Sequence, residues 1–80
     1  MINTLWHYQM TQKTMHLSEI GPYLSYGIQV RQNTGFGWTV CRQIYDITTE
    51  LQHIRSLVES FNALQLSPTH LEDVLEDALP

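Results

Sequence analysis

Leu24-Ser25-Tyr26-Gly27-Ile28-Gln29-Val30-Arg31 is the stretch that decides the fold. Leu24, Tyr26, Ile28 and Val30 are apolar, and the residues between them are small or polar. That period of two is the signature of a strand with one covered face, because successive side chains point to opposite sides of a pleated sheet. Gly27, inside the strand, marks a bulge or a close approach by another backbone.

Working outward from this strand, Asn33-Thr34-Gly35-Phe36-Gly37 reads as a turn. Trp38 to Asp46 is rich in β-formers and pairs with residues 23–32 as an antiparallel hairpin. Trp38, Val40 and Ile44 are expected to share one face, interrupted by Arg42. On the other side, Thr4 to Gln12 alternates loosely, with Trp6, Tyr8 and Met10 on one face. Lys13 and Thr14 read as a bend, Met15 to Leu17 as a further short strand, and Gly21-Pro22 as a breaker.

The period then changes. Leu51, Ile54, Leu57, Val58, Phe61 and Leu64 recur at three and four residues, the stripe of an amphipathic helix. Thr49 and Gln52 have the spacing of a capping box. Ser67-Pro68 restarts a helix, with serine at the cap and proline in the first turn, where its missing N–H costs nothing. Leu71, Val74, Leu75 and Ala78 form that helix's apolar stripe, and Leu79-Pro80 ends it. Strands first and helices last predict an α+β fold. The expected architecture is a three- to four-stranded antiparallel sheet within residues 4–46. Two C-terminal helices, about 50–64 and 68–79, pack on one of its faces. Residues 1–80 form a single small domain.

The chain has 80 residues and a formal charge of −4. Residues 1–45 carry Lys13, Arg31 and Arg42 against Glu19; residues 46–80 carry Arg55 against seven acids. Displacing the counterions of a nucleic acid takes a dense basic patch, so direct nucleic-acid binding and docking on an anionic membrane are not expected. No apolar run approaches the ~20 residues of a membrane span. The single Cys41 forms no internal disulfide, and no signal segment opens the chain, so the cytoplasm is the expected location.

No phosphate loop, dinucleotide fingerprint, zinc-finger spacing or nucleophile elbow is present, and no catalytic residue, metal or cofactor is assigned. Cys41 reads as a small packed strand residue. Asp46 and Glu50, beside a helix start, read as partners of the helix dipole. Among the four histidines, only His70 has an acid at helical spacing, Asp73. A metal-dependent enzyme or metal-binding domain built on His70 and Asp73 is therefore the alternative function, although a zinc site needs three or four ligands.

The last helix carries Glu72, Asp73, Glu76 and Asp77 with no cation after Arg55. Like charges four apart repel slightly, which leaves two readings: a solvated face, or a contact surface for a partner. Eight aromatics are many for a sheet that two helices cover on one side, and Phe36 at the turn is the foremost candidate to stay exposed. Exposed aromatic clusters mark interaction surfaces. The expected function is thus a non-enzymatic protein–protein interaction or regulatory module. Its candidate contact residues are His70, Glu72, Asp73, Glu76, Asp77 and Phe36, and its partner is another protein or a second copy in a homodimer.

The ending Leu66-Ser67-Pro68-Thr69-His70-Leu71-Glu72-Asp73-Val74-Leu75-Glu76-Asp77, with Tyr26-Gly27-Ile28-Gln29-Val30 and Tyr45-Asp46-Ile47-Thr48, resembles a family of short bacterial proteins carrying a domain of unknown function. The resemblance implies a bacterial intracellular protein and lends no activity.

Overall fold

The computed structural model describes residues 5–78. The alternating stretch lies in the central strand of a three-stranded antiparallel sheet of order β1-β2-β3. The strands are β1 (Trp6–Leu17), β2 (Gly21–Asn33) and β3 (Trp38–Thr48); α1 (Leu51–Leu64), a 3-10 turn (Pro68–His70) and α2 (Leu71–Ala78) follow. The α+β reading therefore holds, with two C-terminal helices after the sheet. The expected residues Thr4, Leu79 and Pro80 lie outside the described residues.

β1 runs unbroken through the expected bend. Lys13 pairs with Ser25 and Thr14 with Leu24, so residues 15–17 continue β1 and the sheet has three strands. Gly21-Pro22 starts β2 rather than separating elements; Gly21 sits at φ 85°, a conformation that glycine adopts without steric cost.

The covered face takes Tyr8, Tyr26, Ile28 and Val30, which pack with Ile54 and Phe61 of α1 and Leu71 and Leu75 of α2. Ile28 lies between Met10 and Ile44 in the register, which places it at the centre of the layer. Tyr8 and Phe61 rings meet at 5.3 Å. Tyr8 also donates its hydroxyl to the Leu66 carbonyl at 2.6 Å. Burial, and secondarily the charge of nearby Cys41, pushes the Tyr8 phenol up to about 12, so it keeps the donated proton throughout the neutral range.

β3 departs from simple alternation twice. Val30 pairs with Arg42 while Arg31 pairs with Val40, so Cys41 is an extra residue. The inserted residue reverses the faces on either side of it. Trp38 and Val40 therefore lie on the open face and Ile44 on the covered one, contrary to the expected shared face. Cys41 is exposed, not packed, with its thiol 3.5 Å from the Val30 carbonyl. The second irregularity falls between Tyr26 and Ile28, opposite Thr48 and Ile44. There Asp46 adopts φ 55° and accepts a 2.6 Å hydrogen bond from the buried Ser25 hydroxyl. Asp46 thus serves a bulge rather than a helix dipole.

The expected capping box is absent. Glu50 occupies the N-cap of α1 without a side-chain bond, and its amide donates to Thr48 Oγ1 at 3.1 Å. At the other end Gln65 takes the left-handed conformation (φ 51°, ψ 49°). Its amide donates to Asn62 O, and the Leu66 amide to Phe61 O, the paired bonds of a Schellman ending. Ser67 precedes the 3-10 turn and makes no side-chain cap bond, but its carbonyl accepts from the His70 amide.

Two carboxamides of this ending close part of the free edge of β1. Asn62 accepts from the Tyr8 amide at 2.7 Å and donates to its carbonyl at 2.9 Å. Gln65 accepts from the Leu5 and Trp6 amides and donates to the Trp6 carbonyl. Edge strands present unpaired backbone groups, and here two side chains pair with them as a neighbouring strand would. Asn62→Ala is expected to destabilise the fold by about 1–2 kcal/mol, since it leaves two part-buried backbone groups without partners. Amide exchange should show lost protection at Tyr8; unchanged protection there would refute the clamp.

Candidate functional site

On the helix side, the acidic residues of α2 separate into two rows. Glu72 and Glu76 border the clefts against β3, and Asp73 and Asp77 follow the adjacent row. Glu72 is ion-paired with Arg42, the residue that interrupts the apolar pattern of β3. Both partners are substantially exposed, so the pair contributes little to stability. It does place Glu72 against the body of the protein. Of the four acids expected as one contact surface, Asp73, Glu76 and Asp77 are exposed and make no ion pair with another described residue. Glu72 and Asp73 also sit in the first turn of α2, where negative charge complements the helix dipole.

The Arg42–Glu72 pair borders an open cleft of about 340 Å3, walled by Trp6, Gln32, Cys41 and Thr69. A second cleft of about 330 Å3 lies between the bulge at Asp46 and α2. His70 is exposed at the end of the 3-10 turn. Among the described residues, no group of three or more His, Cys, Asp or Glu is placed to hold a metal ion. His70 and Asp73 therefore remain a pair without the third ligand that the metal reading requires.

Among the described residues, no layer covers the opposite face of the sheet. Trp38 and Val40 are each 47% exposed there and Tyr45 52%. Phe36, in the turn leading to β3, is fully exposed, as its position in the sequence predicts. Two cations share this face, each beside an aromatic ring. Lys13 Nζ lies 4.9 Å from the centre of the Tyr45 ring. Arg31 borders a shallow pocket with His7 and Trp38, whose rings meet edge to face at 6.2 Å. Gln29 Oε1 accepts from Arg31 Nε at 3.2 Å, which orients the guanidinium. The fixed Nε leaves the outer nitrogens of a planar, always-charged donor fork.

Sequence reasoning expected exposed aromatics but missed that Trp38 and Val40 stand on this face, because the Cys41 bulge decides it. Alternation without an insertion puts Trp38 and Val40 with Ile44, in the core. The clamp residues Asn62 and Gln65 also escaped notice; two carboxamides three residues apart beside an apolar stripe are the only trace they leave in the sequence.

The family model described as "Family of unknown function (DUF6514)" matches residues 1–80. No curated protein and no solved structure matches the chain. No helix among the described residues is long and apolar enough to cross a membrane.

Proposed function

The chain belongs to the DUF6514 family, and from that premise we propose that it is a non-enzymatic protein-interaction module whose contact surface is the open face of its sheet. The observation that carries this reading is the exposure of Trp38, Val40 and Tyr45 together on a face that neither helix covers. Aromatic residues supply large contact area at low entropic cost and are enriched where proteins meet. Monomeric proteins seldom leave such residues grouped in water without a use for them. The single Cys41 fits a reducing compartment, the bacterial cytoplasm. The acidic row of α2 is the weaker candidate surface, because Glu72 is occupied by Arg42.

A photo-crosslinking amino acid distinguishes the two faces. Placed at Val40, it is expected to give a discrete adduct in cells, either with another protein or with a second copy of the chain. Placed at Asp77, it is expected to give none. Adducts from Asp77 and none from Val40 would transfer the contact surface to the acidic helix.

A further inference from the structure

We propose that the open face takes an acidic segment of a protein partner in extended form, one carboxylate docking on Arg31 and a second on Lys13. This inference rests on the interaction reading given above. The two cations belong to equivalent stations. Arg31 lies beside Trp38 and His7, and Lys13 lies over Tyr45. Each station offers a positive charge next to an aromatic surface, which suits an acidic residue beside an apolar one.

The register sets their separation. Arg31 pairs with His7 and Ser25 with Lys13, so the stations are six residues apart along both strands. At ~3.3 Å per residue that is ~20 Å, the reach of an extended chain with carboxylates about six residues apart. The neutral Gln9, Thr11 and Gln29 occupy the sheet between them. The charge of the rest of the molecule points the same way. Six of the eight acids, Glu50, Glu59, Glu72, Asp73, Glu76 and Asp77, belong to the helices or the α1 cap; Glu19 lies in the turn after β1, and Asp46, at the β3 bulge, is held by the Ser25 hydroxyl opposite Lys13. An acidic partner is therefore repelled from the helix layer and drawn to the sheet. A nucleic acid also carries negative charge, but two cations on a chain of net charge −4 release few counterions.

The test is a titration of isotope-labelled protein with a synthetic ten-residue peptide, followed by NMR. The peptide carries two glutamates six positions apart, each next to a leucine, on a threonine-rich backbone. Its controls are the same peptide with both glutamates replaced by glutamine and a single-stranded RNA decamer. Binding is expected to move the signals of His7, Arg31, Trp38 and Tyr45. Arg31→Gln, or the glutamine peptide, should weaken it by about tenfold, and added salt should weaken it further. Arg31→Gln changes a surface side chain, and its circular dichroism is expected to match the wild type. The proposal is overturned by no shift at about 1 mM peptide, by equal binding to Arg31→Gln, or by tighter binding of the RNA. If the Val40 crosslink forms in Arg31→Gln with undiminished yield, the interaction reading stands and the acidic-segment proposal falls. If no Val40 crosslink forms, the interaction reading itself falls.

Discussion

Gly27→Ala is expected to lower the melting temperature by roughly 10–20 °C, from a loss of about 3 kcal/mol in a domain of this size. The position has ordinary strand geometry, so the cost is one of space. A Cβ there would stand 2.2 Å from the Ile44 carbonyl oxygen, 3.0 Å from Thr11 Oγ1 and 3.1 Å from Tyr45 Cα. A flexible side chain could turn aside; the backbone of a bulged strand cannot move without breaking its pairing. Gly35→Ala is the control. A Cβ at Gly35 meets nothing within 4 Å, and its cost comes from φ 89° alone, about 1 kcal/mol. Equal thermal shifts for the two variants would contradict the close approach at Gly27.

Ile54→Ala is expected to cost about 2–5 kcal/mol. Ile54 is completely buried in the single layer between α1 and the sheet. A domain of this length has a total stability of roughly 4–12 kcal/mol, so the variant should lose much of its cooperative unfolding transition. Ile54→Val removes one methylene and is expected to cost about 0.5–1.5 kcal/mol. Denaturant unfolding measures both. A loss below about 1 kcal/mol for Ile54→Ala would mean that this layer does not hold the helices to the sheet.

Much of this fold was legible because periodicity reports burial directly. Tyr26, Ile28 and Val30 take the covered face of a strand as their alternation predicts, although Leu24, expected with them, is exposed, and Ser25 on the other face is buried beneath the β3 bulge; Ile54 and Phe61 lie on the buried stripe of a helix. Gly27 was legible for the same reason: a residue without a side chain inside a strand signals that something occupies its place. The details that failed depend on one-residue differences. A capping box at Thr49 and a cap at Glu50 differ by one residue, and local spacing permits both. The bend expected at Lys13 was overridden by pairing with Ser25 and Thr14 with Leu24, a contribution from a distant segment.

The candidate surface was less legible than the fold. Phe36 could be placed in water because a turn projects its residues outward. The acidic residues of α2 could be counted, but not the capture of Glu72 by Arg42, which needs both elements in position.

The sequence by itself determined the order of strands and helices, the covered face of β2, the need for glycine at position 27 and the acidic character of the last helix. These follow from local periodicity, side-chain volume and charge. The tertiary structure alone decided which aromatics remain exposed, how the edge of β1 is closed and where the two cations of the open face lie. These depend on the Cys41 bulge and on hydrogen bonds spanning more than fifty residues. An insertion in one strand has no periodicity of its own. It becomes visible only when the partner strand fixes which residues stand opposite one another.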